Sequence, residues 1–111
     1  AHLRERLGEE VVASGEVSGL PDGARVTVAG LVIRRQWPQA KAVFMTLEDE
    51  HGHIPLVVWP KVYARLRHVL AEPLIVVRGT VSRREGTMNI VVSQAEAVMV
   101  FPSAPSSKNW R

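Results

Sequence analysis

The chain has 111 residues, of which 46% are hydrophobic and 23% are charged, and this fits one domain with a modest core. It has no cysteine, which excludes disulfides, cysteine–zinc sites and thiol nucleophiles. The net charge is only +3, a surplus that also occurs on proteins that bind nothing anionic. No apolar run approaches the roughly 20 residues that span a bilayer, so we expect a cytoplasmic protein with no membrane partner.

The first predicted elements are a leader and a long strand. Residues 1–19 are rich in charge, Gly and Ser, so we expect a partly flexible leader. A turn signal, Leu20-Pro21-Asp22-Gly23, precedes a strand predicted over Arg25–Arg35. Within that strand, Gly30 is where a bulge or sharp coil would let one strand serve two sheets. Because of this bend, the sequence does not determine whether Arg34 and Arg35 point into or out of the barrel.

The second predicted strand, Val43–Glu50, has a clear alternation. One side of the strand carries Val43, Met45 and Leu47, and the other carries Phe44, Thr46 and Glu48. Burying Phe44 would take the Glu48 carboxylate inside with it, which is costly without a partner. We therefore expect Phe44 to face outward, where an aromatic ring can stack on an unpaired base. The alternative is a lone surface Phe packed under a loop.

The third strand and a helix follow. Glu50–His53 is predicted to close a hairpin, and the strand Ile54–Trp59 puts Pro55 and Val57 outward. A helix is predicted to start at Pro60, whose missing N–H is no loss there, and to stop at Glu72-Pro73. An apolar stripe at helical spacing would let it plug a barrel end, and the stripe consists of Val62, Leu66, Val69 and Leu70.

Two further strands complete the predicted order. They cover Leu74–Arg84 and Met88–Val100, with a basic turn between them. Five strands with one helix between the third and the fourth is the order of the all-β OB-fold, a Greek-key barrel. We predict that the OB-fold domain covers residues 20–101 and that residues 102–111, which are rich in Pro and Ser, form a flexible tail.

Three segments of these strands resemble the C-terminal OB domain of bacterial DNA polymerase III alpha subunits. They are VTVAGLVIRRQ, VFMTLEDEHG and IPLVVWP, and the likeness is greatest to the error-prone, translesion type. The resemblance covers residues 20–98. It implies a fragment or a freestanding relative, because the catalytic carboxylates of such a polymerase have no room in 111 residues.

The same stretch is similar to the anticodon-binding OB domain of class II aminoacyl-tRNA synthetases of the aspartyl and lysyl type. In that family the corresponding Phe stacks on an anticodon base, which implies the same role for Phe44. Where the aspartyl enzyme reads a base with Gln, this chain has Pro55, which has no side-chain donor. The resemblance therefore implies stacking and a contact by Arg34 or Arg35, without base-specific reading.

Basic and aromatic side chains gather at the two loops that border the groove of an OB-fold. Each basic residue is otherwise an ordinary solvated charge. Trp37 is interpreted as a second stacking platform or a lid over the barrel rim, whereas Trp59 and Tyr63 are expected to pack the helix on the barrel. The predicted nucleic-acid site consists of Arg34, Arg35, Trp37, Lys41, Phe44, Thr46, Val57, Arg83 and Arg84.

The acidic and His-containing segment Glu48–His53 matches no defined metal-ligand spacing, and a hairpin explains it. Its carboxylates would repel phosphates, so we expect it to mark an edge of the ligand path. No nucleophile–base set, phosphate loop or carboxylate pair stands out. We predict no metal, no cofactor and no catalysis by this chain.

These observations predict a module that binds single-stranded DNA with little sequence specificity. It would act as part of, or alongside, an error-prone polymerase III alpha subunit, and RNA is a further ligand of the same chemistry. One alternative is a protein-interaction module of a replication or mutagenesis complex, in which the aromatic side chains anchor an interface. Another is a tRNA-binding appendage.

Overall fold

A computed structural model describes residues 11–37, 42–84 and 86–98 of the chain. Within these ranges the chain forms the helices α1 (Ser14–Val17) and α2 (Pro60–Leu70). The five strands are β1 (Arg25–Gln36), β2 (Val43–Asp49), β3 (Gly52–Val58), β4 (Leu74–Arg84) and β5 (Thr87–Ala97). Residues 1–10, the predicted tail over 102–111 and the predicted site residue Lys41 lie outside the described residues.

The strands form one closed barrel in the order β1-β2-β3-β5-β4. Neighbouring strands are antiparallel except β3 and β5, which close the barrel through a short parallel stretch at Leu56–Ile90 and Val57–Val91. Helix α2 lies between β3 and β4 in sequence. The predicted all-β OB-fold, a five-stranded barrel with one helix between the third and fourth strands, is confirmed.

Strand β1 serves two neighbours, as predicted. It pairs with β4 from Arg25 to Leu31 and with β2 from Leu31 to Gln36. A Cβ atom on Gly30 would lie 2.6 Å from the backbone oxygen of Glu48, so the absence of a side chain lets the two backbones cross closely. The shift in register lies between Val32 and Arg34, which puts the bulge at Ile33 and not at Gly30.

The core fills the barrel with the inward side chains of all five strands. Its fully buried members include Val28, Leu47, Leu56, Ile75, Val77 and Ile90. Helix α2 adds Leu66 and Leu70 to this core, with Val62, Tyr63 and Val69 packed against it, so its predicted apolar stripe is confirmed. Among the described residues, no helix has the length and apolar character needed to cross a membrane.

Part of the predicted leader, from Val11 onward, packs against the barrel. Val17 in α1 is fully buried in the main core, and Val11 packs with Ala29 and Val76 on the outside of the barrel. The backbone N–H of Val12 also donates to the oxygen of Thr27 at 2.8 Å. Gly and Ser suggested mobility, but the valines among them bury apolar surface against β-strands distant in sequence.

Candidate nucleic-acid interface

The outer face of β1, β2 and β3 carries a row of polar side chains around one aromatic ring. Phe44 is 38% exposed, and its register partners are Gln36 on β1 and Val57 on β3. The next outward row pairs Thr46 with Arg34 on one side and Pro55 on the other. Residues directly opposite each other on neighbouring strands face the same side of the sheet. The predicted outward position of Phe44 is therefore confirmed, with Thr46 beside it.

The two adjacent arginines of β1 do different things. Arg34 pairs with outward Thr46 and is exposed, and its guanidinium makes no hydrogen bond or ion pair within the described part of the chain. Arg35 pairs instead with buried Met45. Its Nε and one terminal nitrogen donate to the backbone oxygen of Leu70 at 3.1 and 3.0 Å, at the carboxyl end of α2. Arg34 thus remains available to a ligand, whereas Arg35 caps a helix.

The arginine pair of the β4–β5 hairpin divides in the same way. The Arg83 guanidinium donates through Nε to the oxygen of Leu20 at 2.8 Å and through a terminal nitrogen to the oxygen of Ser18. Its backbone N–H donates to Asp22 Oδ1 at 2.8 Å. Arg84 is exposed; its backbone oxygen accepts from the Thr87 hydroxyl at 2.7 Å, but its guanidinium has no hydrogen bond or ion pair to any residue that the structure describes. Arg83 therefore connects the turn before β1 to the β4–β5 hairpin through hydrogen bonds, whereas the Arg84 guanidinium is available to a ligand.

Val57, a predicted contact residue, is buried in the structure. Val57 follows the outward alternation of β3, as expected, but it is only 7% exposed. Its register partners are Phe44 on β2 and Val91 on β5, and side chains on both flanks cover a small aliphatic group. The surface exposed at this row therefore belongs to Phe44 and not to Val57.

Three further aromatic side chains lie at the end of the sheet nearest to α2. Trp37 and Tyr63 make an edge-to-face contact with ring centroids 6.3 Å apart and planes at 85°. Trp37 remains 53% exposed, so it packs at the rim while keeping an open surface. Tyr63 packs against the core as expected, but Trp59 is 51% exposed, which corrects its predicted role in packing the helix.

The opposite end of the sheet is acidic. Glu48 is exposed and lies 3.5 Å from the imidazole of His53, its register partner on β3. Arg34 and the basic first turn of α2 lie toward the other end of these strands, so the charge of the outer face changes sign along them. The electrostatic potential therefore favours an anionic ligand at the Phe44 end of the face and disfavours one at the β2–β3 hairpin.

The carboxylate of Asp49 in this hairpin is fully engaged by protein donors. Its Oδ1 accepts from the Ser14 hydroxyl and from the backbone N–H groups of His51 and Gly52, and its Oδ2 accepts from the Ser14 N–H. Burial acts to raise the pKa of Asp49, but these hydrogen bonds together outweigh it and lower the pKa below 3.8. Within the described ranges, no group of three or more His, Cys, Asp or Glu side chains is arranged to hold a metal ion.

Sequence reasoning did not include Gln36 and Trp59 among the candidate contacts. Both are exposed on the outward parity of the strand ends, beside Phe44. The signal that could have found Gln36 is its alternation with Arg34, which the bulge at Ile33 made unreadable from the sequence.

A closed five-stranded barrel with an exposed aromatic ring and available cations on its outer face defines an OB-fold nucleic-acid-binding domain. Residues 26–98 match the family described as OB-fold nucleic acid binding domain, tRNA_anti-codon, and the chain belongs to this family.

Relatives of the chain include two error-prone DNA polymerases. The chain is 41% identical over 99 residues to the one from Anaeromyxobacter dehalogenans (strain 2CP-C), an alignment that covers 86% of this chain and 9% of the polymerase. It is 39% identical over 100 residues to the one from Methylococcus capsulatus, which covers 86% of this chain and 10% of that protein. The chain thus spans about a tenth of these polymerases.

Solved structures of low identity share the fold. The hypothetical protein ygiW from E. coli superposes with a TM-score of 0.67 at 22% identity, covering 82% of this chain and 92% of that one. Asparaginyl-tRNA synthetase from Pyrococcus horikoshii, complexed with asparaginyl-adenylate, gives a TM-score of 0.66 at 24% identity. That match covers 90% of this chain and 25% of the synthetase.

Proposed function

We propose that this chain binds single-stranded DNA with little sequence specificity, as one domain of an error-prone DNA polymerase. The observation that carries the proposal is Phe44, an aromatic ring exposed on the outer sheet face, one outward row from the available Arg34. A ring of this kind stacks on any base, and a nearby guanidinium contacts the backbone phosphate. The identity to polymerases named error-prone favours DNA as the polymer.

The available groups favour generic binding over sequence reading. Pro55 lies opposite Thr46 on the face and has no side-chain donor with which to read a base edge. Arg34 and Arg84 can contact phosphates, which are the same in every sequence. Affinity is therefore expected to be modest and salt-dependent, and the chain contributes binding while catalysis belongs to other parts of the polymerase. We expect a chain with this role to act in the cytoplasm.

The test is a set of titrations of a labelled oligothymidylate by fluorescence anisotropy at low salt. Phe44→Ala is expected to weaken binding by about tenfold or more, because stacking on one ring contributes roughly 1–3 kcal/mol. Arg34→Ala is expected to weaken binding and to reduce the slope of log affinity against log salt by about 0.7, since one phosphate contact is lost.

Two variants provide matched controls for these titrations. Leu31→Ala removes an apolar side chain that is 48% exposed, beside Glu48 at the acidic end of the face. Arg25→Ala removes an exposed cation from the part of β1 that pairs with β4. Both are expected to bind like the wild type. Wild-type protein that does not bind at low salt, or Phe44→Ala and Arg34→Ala variants that bind equally well, would contradict the proposal.

A protein-docking role is supported by a different observation. Leu31 and Ile33 are 48% and 46% exposed at the bulge of β1, and a partner protein could cover them. Val57 is not available to such an interface, because it is buried. Failure of DNA binding, together with capture of a partner that the Leu31→Ala and Ile33→Ala variants no longer retain, would favour this function. Competition by tRNA and duplex DNA tests the tRNA-binding alternative, which predicts that tRNA competes best.

A further inference from the structure

Trp59 extends the aromatic surface beyond Phe44. Its backbone is extended, with φ −70° and ψ 155°, so the alternation of β3 continues for one more residue. Trp59 therefore shares the outward parity of Val57, the direct partner of Phe44, which makes Trp59 a diagonal neighbour of Phe44. Diagonal positions on one sheet face are within reach of aromatic side chains. The half-exposed Trp59 is thus placed on the same face as Phe44, one diagonal position closer to α2.

The outer face of α2, the helix that begins after Trp59, carries basic side chains and no acidic ones. The segment Pro60–Leu70 contains no Asp or Glu. Its outward stripe, opposite buried Leu66 and Leu70, carries basic side chains at helical spacing: Lys61, Arg65 and His68. This stripe covers about 10 Å of helix, a distance that exceeds one phosphate spacing.

Helix stability does not explain the position of Lys61. A cation in the first turn opposes the helix dipole, and the Lys61 ammonium makes no hydrogen bond or ion pair with any described residue. Arg65 is held in place, because its terminal nitrogens donate to Gln94 Oε1 at 3.1 Å and to the oxygen of Ser93 at 2.8 Å, while the side chain stays exposed. One available cation and one fixed cation therefore follow the Trp59 indole in order.

We propose that the strand-binding surface continues from the sheet onto α2. Trp59 stacks on a base that follows the one on Phe44, and Lys61 and Arg65 contact the phosphates beyond it. This inference rests on the proposed function and deepens it, because it specifies the path of the bound strand across the surface and the length of the site. The ligand is an unpaired strand, since a base inside a duplex does not expose its face to an indole.

The first test uses tryptophan fluorescence. A variant with Trp37→Phe and Trp110→Phe retains Trp59 as its single tryptophan. Addition of oligothymidylate is expected to quench its emission in step with the anisotropy of the labelled strand. Unchanged emission during binding that still depends on Phe44 would overturn the role of Trp59 and leave the proposed function standing.

The second test compares oligothymidylates of about 4 and about 12 nucleotides, which span the lower range of OB-fold site sizes. Trp59→Ala is expected to weaken binding of the longer strand by about tenfold, with little effect on the shorter one, whereas Phe44→Ala weakens both. Lys61→Gln is expected to lower the salt slope for the longer strand by about 0.7. Arg25→Gln, the charge-matched control on the far side of the barrel, is expected to have no effect.

A stability measurement separates binding from folding in these variants. Lys61→Gln is expected to leave the melting temperature equal to or slightly above that of the wild type, because it removes a cation from the first turn. Wild-type affinity of Trp59→Ala and Lys61→Gln for the longer strand, with Phe44→Ala still weakened, would overturn this inference alone. Absence of any binding by the wild type would overturn it together with the proposed function.

Discussion

The carboxylate of Asp49 binds Ser14 through both of its oxygens. Oδ2 accepts from the Ser14 backbone N–H at 2.7 Å, and Oδ1 accepts from the Ser14 hydroxyl at 2.8 Å. The two residues are 35 positions apart, so this contact joins the segment before the barrel to the β2–β3 hairpin. A Cβ atom on Gly52 would lie 3.2 Å from the Ser14 hydroxyl, so α1 approaches the hairpin closely.

Removal of this carboxylate is expected to destabilise the domain. Asp49→Ala leaves four donors without their acceptor, on Ser14, His51 and Gly52, and should lower the free energy of unfolding by about 2 kcal/mol. Urea denaturation measures this change. Glu50→Gln is the control, because the exposed pair of Glu50 with His51 should contribute less than about 0.5 kcal/mol. Equal losses in both variants would contradict the assigned role of Asp49.

The stability that Asp49 supplies is expected to depend on pH. Since the pKa of Asp49 is lowered in the folded state, its contribution is present above the unfolded value near 3.8 and is lost as the pH falls through the lower, folded value. The difference in unfolding free energy between wild type and Asp49→Asn should therefore be full at pH 7 and shrink below pH 3.8. Urea titrations across this range measure it, and a difference that stays constant would refute the coupling.

Arg34 and Arg35 are expected to give opposite phenotypes. Arg35→Ala removes the donors from the end of α2 and should lower the free energy of unfolding by about 2 kcal/mol. Arg34→Ala should leave stability within about 0.5 kcal/mol of the wild type while weakening strand binding. Thermal unfolding and anisotropy titrations on both variants provide the two readouts. The assignment fails if Arg35→Ala melts like the wild type.

Gly79 is expected to tolerate no side chain. A Cβ atom there would overlap the backbone oxygen of Val91, at the register shift between β4 and β5. Gly79→Ala should therefore cost about 3 kcal/mol of unfolding free energy, measured in urea. A Cβ atom on Gly15 in α1 would have no neighbouring atom within 4 Å. Gly15→Ala should therefore leave the free energy of unfolding unchanged or raise it by about 0.5 kcal/mol. A Gly79→Ala variant as stable as Gly15→Ala would contradict the close contact.

The strands and α2 were predictable because their patterns are local. The alternation around Phe44 and the apolar stripe of α2 each arise within a few residues, and the structure reproduces both. The α1 segment was not predictable, because its order comes from Asp49 and from β-strand partners distant in the chain. Composition indicates mobility only where no such partner exists.

The candidate face was predictable in outline but not residue by residue. The sequence placed Arg34 and Arg35 together, as it did Arg83 and Arg84, yet in each pair one guanidinium binds backbone carbonyls and the other is available. From the sequence, only the inward–outward alternation of a strand can tell which arginine of a pair faces outward. The bulge at Ile33 interrupts this alternation just before Arg34 and Arg35. Burial of Val57 depends on its cross-strand neighbours, which a single strand does not reveal.

The most direct test of strand binding by the Phe44 face is an amide NMR titration of the labelled wild-type chain with a short oligothymidylate at low salt. The largest shifts are expected at Gln36, Phe44 and Thr46, which share the outer face of β1 and β2. The amides around Arg25, where β1 pairs with β4, should move little. Shifts concentrated at Leu31 and Ile33, or no shifts at all, would contradict binding of an unpaired strand by this face.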